Sequence, residues 1–98
     1  MYKNDILRTL KTHEFELRQM GVAHIALFGS CARQEERPES DIDILIDLND
    51  EAQLDLFAYA GLKDHITTLC DRSVDVVDRA ALKKGLKGAV EKEAIYVF

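Results

Sequence analysis

Three groups of residues in this chain carry types and spacings that could do chemistry. The first is Asp41-Ile42-Asp43. On a strand, residues two apart point to the same face, so the two carboxylates stand side by side with Ile42 turned into the core. Adjacent carboxylates repel each other unless a cation lies between them. Magnesium is suited to that place, as a hard ion that takes one or two carboxylates and completes its shell with water and phosphate oxygens. The second group is Gly29-Ser30, directly after an apolar run. Glycine admits a ligand close to the backbone, and the Ser30 hydroxyl with nearby N–H groups can grip phosphate oxygens. The third is Asp75 within Val74-Asp75-Val76-Val77-Asp78. A carboxylate in the middle of an apolar strand is costly to bury. If that strand lies beside the Asp41 strand, Asp75 shares the face of Asp41 and Asp43. There it would bind metal or accept a proton from an attacking hydroxyl.

Each group alone has a plain reading: a solvated acidic strand face, a strand-to-turn Gly-Ser, an edge-strand aspartate facing water. Together, Asp41, Asp43, Asp75 and the Gly-Ser turn describe a site with two magnesium ions about 3.5–4 Å apart. The reaction it suits is in-line attack of a hydroxyl on the α-phosphate of a nucleoside triphosphate, with pyrophosphate leaving. Positioning and charge neutralisation are the protein's part.

The elements that must position these residues follow from periodicity. Ile6, Leu10, His13, Leu17 and Met20 recur at helical spacing over about Lys3 to Met20, and Gly21 ends that helix. Val22 to Phe28 reads as a strand. In Asp41 to Leu48 the alternation of Ile42, Ile44 and Ile46 makes one face wholly apolar. Asp50, with Gln53 in the reciprocal capping position, begins a helix to about Leu69 with the stripe Leu54, Ala58, Gly61, Leu62, His65 and Leu69. Val74 to Val77 is a third strand, Asp78 caps a turn at Arg79 to Lys83, and a last helix covers about Leu86 to Glu93 before the apolar run Ala94 to Phe98. The class is α/β (of the α+β type), one domain over residues 1–98 with helices flanking a sheet of three to four strands. The first two strands are too close in sequence for a parallel crossover, so the sheet is mixed.

Composition limits the partners. A net charge of −5 and a pI near 5.1 exclude passive binding along a nucleic-acid backbone, but not one nucleotide held with metal ions. Cys31 and Cys70 offer neither a disulfide framework nor zinc spacing, and no run is apolar and long enough for a signal peptide or membrane span, so the expected address is cytoplasmic. His13 and His65 read as core histidines, His24 has no evident partner, and Asp47 reads as solvent-exposed. Phe15, Leu56, Phe57 and Tyr59 fall outside the core stripes, which leaves a different helix phase or an apolar patch for a partner.

Gly29-Ser30, ten intervening residues and Asp41-x-Asp43 resemble the signature of the DNA polymerase beta-like nucleotidyltransferase superfamily. Leu27 to Arg33 and Ser40 to Ile46 resemble its minimal (MNT) branch, as do the Val74 to Val77 strand and the ending Glu93 to Val97. The resemblance implies triphosphate contact at Gly29 and Ser30, metal ligation by Asp41 and Asp43, and Asp75 as third carboxylate. Arg33 matches a family position that contacts phosphate or anchors the loop, and Gln34 stands where the family usually has glycine. It further implies an antitoxin that moves AMP from ATP to a tyrosine of a HEPN-domain ribonuclease toxin, in a type VII-like toxin–antitoxin pair. The alternatives are a small-molecule nucleotidyltransferase, which usually needs an added substrate domain, and a silent module that neutralises its partner by contact. A homo-oligomer is compatible with each.

Overall fold

The computed structural model describes residues 3–29, 41–49 and 54–98. The elements run α1 (Lys3–Thr12), α2 (Glu14–Gln19), β1 (Val22–Phe28), β2 (Ile42–Leu48), α3 (Leu56–Cys70), β3 (Val74–Asp78), a 3-10 turn at Arg79–Ala81, α4 (Lys84–Glu93) and β4 (Ile95–Tyr96). The strands form one sheet in the order β3-β2-β1-β4. β1 is antiparallel to both β2 and β4, whereas β2 and β3 are parallel. The mixed α+β sheet expected from the sequence is therefore the one observed. The parallel pair is the one joined through a helix, and the adjacent antiparallel pair is the one with the short connection.

One face of the sheet is the core. Ile25 and Leu27 of β1, Ile42, Ile44 and Ile46 of β2, and Val76 of β3 pack with Ile6, Leu10 and Leu17 of the first two helices and Leu62, Ile66 and Cys70 of α3. The apolar face predicted for β2 is observed, since all three isoleucines are fully buried, and Leu45 on the opposite face is buried as well. The opposite face carries Asp43, Leu45 and Asp47 from β2, with Ala26 and Tyr96 beside Leu45 across the neighbouring strands. Putting α1, α2 and α3 behind one face leaves the other free to hold polar chemistry.

Three expectations are corrected. The first helix is two, broken at His13, whose backbone leaves the helical region (φ −99°, ψ 19°). Leu10 before the break and Leu17 after it are both fully buried, and the His13 ring is satisfied by donating from Nδ1 to the Thr9 carbonyl at 2.8 Å. The third helix starts at Leu56, not near Asp50. Asp55 is its cap, accepting from the Ala58 N–H at 2.7 Å, while Asp50 and Gln53 lie outside the described residues. Its phase is also shifted. Leu62, Ile66 and Cys70 are buried with Tyr59, Leu54 and Leu69 packed against them, whereas Ala58 and Gly61 face outward. Asp71 closes α3 in the left-handed conformation (φ 52°), which a short polar side chain tolerates, and its N–H bonds the Thr67 carbonyl at 3.0 Å. Gly21 ends α2 as expected, with φ +105°.

Among the described residues no helix is long and apolar enough to cross a membrane. Phe15, Leu56 and Phe57 are mostly exposed, so the shifted phase accounts for Tyr59 but not for them.

Candidate active site

The site is assembled at one end of the sheet, where β1 finishes and β2 begins. Phe28 ends β1 opposite Asp43, and Gly29 follows with φ +68°, a conformation that favours glycine. A side chain at Gly29 would collide with the Asp43 carboxylate, and its Cβ would also stand 3.1 Å from Asp43 Cγ. The missing side chain at position 29 is thus what makes room for the carboxylate.

Asp43 is half-buried between fully buried Ile42 and Ile44. Ile42 donates its N–H to the Ser73 carbonyl at 3.0 Å, which pins the Asp41-to-Asp43 segment to the start of β3. From that point the parallel register runs Ile42 with Val74, Asp43 with Asp75 and Ile44 with Val76. Paired residues on neighbouring strands share a face and lie about 4.8 Å apart, so Asp75 is brought beside Asp43, on the side away from Gly29. Val76, next to it, is buried on the core face, while Asp75 itself is exposed on an edge strand. Asp41 is exposed just ahead of β2, two residues from Asp43.

The structure therefore brings together four sequence-predicted positions, Gly29, Asp41, Asp43 and Asp75. Ser30 and Arg33 lie outside the described residues, as do Cys31 and Gln34. Among the described residues, no three Asp, Glu, His or Cys side chains gather closely enough to hold an ion on protein ligands alone. The geometry gives a reason: the Asp43 carboxylate leans against Gly29 on one side, and Asp75 stands on the other strand. An arrangement of one or two carboxylates open to water is what magnesium takes when phosphate oxygens supply the rest of its shell, and the residues present fit that mode better than a closed cage.

Further along the same face the sheet carries groups that the sequence did not bring together. Asp47 is not simply solvated. It is half-buried and meets Arg79 Nη1 at 3.8 Å, and Arg79 in turn holds Glu91 of α4 through Nη2 at 2.6 Å. The bond to Glu91, and behind it the charges of Glu91 and Asp47, hold the Arg79 guanidinium above its usual range. His24 donates from Nδ1 to the Phe98 carbonyl at 3.3 Å and meets the Tyr96 ring edge-on, with centroids 6.3 Å apart. On the helical side, His65 is half-buried and donates from Nε2 to Glu16 at 3.0 Å. Tyr59 has its phenol pushed above the ordinary tyrosine value, first by burial and then by the charges of Asp78 and Asp75. No sequence signal marked these neighbours, because they come from distant elements and none falls in a motif.

Comparison with known proteins finds relatives along nearly the whole chain. The family model described as polymerase beta, nucleotidyltransferase matches residues 4–98. Protein adenylyltransferase MntA of Thermococcus cleftensis is 35% identical over 94 residues, spanning 95% of this chain and 93% of that protein. A crystal structure of a toxin–antitoxin with AMP-PNP superposes with a TM-score of 0.70 at 26% identity, covering 100% of this chain and 73% of the other. An MNT antitoxin in complex with a tri-AMPylated Shewanella oneidensis HEPN toxin shares the fold, with a TM-score of 0.64 at 24% identity over 94% of this chain and 71% of the other. With the match extending over nearly every residue, this chain belongs to the polymerase beta nucleotidyltransferase family.

Proposed function

We propose that the chain transfers the AMP moiety of ATP to a tyrosine hydroxyl of a HEPN-domain ribonuclease toxin, and so acts as the antitoxin of a toxin–antitoxin pair. The observation that carries the chemistry is the register of Asp43 with Asp75 across the parallel pair, with Gly29 packed against Asp43. The likeness to an MntA adenylyltransferase along 95% of the chain supports a protein as acceptor, and the likeness to a toxin–antitoxin structure with AMP-PNP supports both ATP and the toxin.

In this reading the acceptor oxygen forms a bond to the α-phosphorus while the bond to the bridging oxygen of pyrophosphate breaks. Asp75, exposed at the sheet edge, faces the incoming hydroxyl and takes its proton. Asp41 and Asp43 are the residues that would hold magnesium, which when bound neutralises triphosphate charge. Gly29 leaves the backbone open to the phosphates, and Ser30 and Arg33 are proposed to grip them. The setting is the cytosol, where a buried thiol such as Cys70 stays reduced.

The test uses α-labelled ATP, magnesium and a HEPN-domain toxin, with an Asp41→Ala/Asp43→Ala control. Label on a toxin tyrosine that disappears in the control is the expected result. Inhibition of the toxin by both versions, without label, would overturn the enzymatic reading.

A further inference from the structure

The face of the sheet that carries Asp43 and Asp75 also carries an open groove of about 430 Å³, lined by His24, Asp47, Arg79, Tyr96 and Phe98. Its floor and walls come from four elements. His24 lies on β1 beside Asp47 of β2, Tyr96 lies on β4 opposite Ala26, and Arg79 follows β3. Phe98 is held by the bond between its carbonyl and the His24 ring and by Arg18, whose guanidinium lies 4.6 Å from the ring centroid. The result is an aromatic wall on one side and an Asp47–Arg79 ion pair on the other.

The distance to the chemistry identifies what fits. Asp47 is four residues beyond Asp43 on the same face, about 13 Å along the strand. With an α-phosphate at Asp43, that separation matches the reach of the ribose and base of the same nucleotide. It is too great for an acceptor tyrosine ring, whose oxygen must touch the α-phosphorus. The groove's chemistry points the same way. A heteroaromatic base offers a π-face to a ring such as Tyr96, which is about half exposed (49%). Its polar edge offers donors and acceptors that Asp47 and Arg79 complement.

We propose that this groove is the seat of the nucleobase, with Tyr96 as the stacking surface and Asp47 and Arg79 as the groups that read the base edge. The proposal rests on the nucleotidyltransferase reading above and adds the part of the site that selects among nucleoside triphosphates. It leaves the Gly29, Asp41 and Asp43 end to handle phosphates, which any triphosphate would satisfy equally.

The experiment measures equilibrium binding of ATP and, separately, of inorganic tripolyphosphate, both with magnesium, to the wild-type chain and to Tyr96→Ala, Tyr96→Phe and Asp47→Asn. Tyr96→Ala is expected to weaken ATP by about tenfold, the scale of one lost base–aromatic stack, with tripolyphosphate unchanged. Tyr96→Phe keeps the ring and should keep ATP affinity. Asp47→Asn should change the ratio of ATP to GTP affinity. Unchanged ATP affinity in Tyr96→Ala, or an equal loss of tripolyphosphate, overturns the seat while the enzyme's function stands. A wild-type chain that binds tripolyphosphate as tightly as ATP also overturns it. Failure of the wild-type chain to bind either ligand would overturn the nucleotidyltransferase reading itself.

Discussion

The Asp43 carboxylate occupies the space into which a side chain at Gly29 would project. Gly29 directly follows β1 and Asp43 is the second residue of its antiparallel neighbour β2, and each constrains the other. Gly29 must lack a side chain for Asp43 to adopt its position, and it must also hold φ +68°. Gly29→Ala should therefore fail twice. The left-handed backbone costs an L-residue about 1–2 kcal/mol, and the new methyl displaces the carboxylate. We expect a lower Tm together with a loss of AMP transfer. An alanine variant with wild-type Tm and activity would mean that the turn is not held as described.

Asp75, the proposed proton acceptor, lies outside the core. It is exposed, and its backbone is held by the Val74 and Val76 pairings. Asp75→Asn should leave the unfolding midpoint in urea close to wild type. Transfer of AMP in a single turnover should fall by about 100-fold or more, the scale of a lost general base. Retention of the full rate would reassign Asp75 to the solvated edge.

Two substitutions on α3 test its start and its outward face. Asp55→Ala removes the acceptor of the Ala58 N–H and should destabilise by about 1 kcal/mol. Gly61 points to open space, with nothing within 4 Å of an added Cβ. Gly61→Ala should stabilise by about 0.5–1 kcal/mol. Equilibrium unfolding measures both, and a destabilising Gly61→Ala would contradict the phase of the helix.

Tyr59 links the helical layer to the acidic strand. Its folded pKa lies above that of a free phenol, chiefly through burial and then through Asp78 and Asp75. A raised acid favours the neutral form in the folded state, so the associated stability is fully present below about pH 10, the unfolded value. It is lost as pH rises through the folded value. In an ultraviolet titration one tyrosine should ionise late and vanish in Tyr59→Phe. In Asp75→Asn that late step should move down only in part, since burial remains.

Much of the fold could be read from the chain because β2 states its own geometry. Ile42, Ile44 and Ile46 alternate with polar or outward residues, and only a strand buries such a set on one face. The Asp41–Asp43 pair follows from the same alternation. The phase of α3 could not be read. Leu54, Leu56, Phe57, Ala58, Tyr59 and Leu62 place apolar groups all around the helix, so periodicity does not choose a face. Packing against α1 and β3 chooses it instead, burying Leu62, Ile66 and Cys70. The break at His13 carries no proline or glycine to announce it. The neighbourhood of Asp43 and Asp75 depends on which strand docks beside which, a long-range choice that the motif implied and spacing alone did not. The groove at Asp47 and Tyr96 is a tertiary product of four elements, and the sequence offers no sign of it.

The strand order β3-β2-β1-β4 also sets a timetable. Gly29 and Asp43 sit on strands that are consecutive in the chain and pair directly, so their contact closes a short loop at small entropic cost. Asp75 reaches Asp43 only after α3 has crossed behind the sheet and β3 has docked at its edge, a longer-range event that pays its closure entropy before any contact rewards it. The Gly29–Asp43 contact can therefore form before Asp75 arrives. On the roles proposed above, partial opening of the β3 edge would silence AMP transfer while leaving the glycine turn and Asp43 in place.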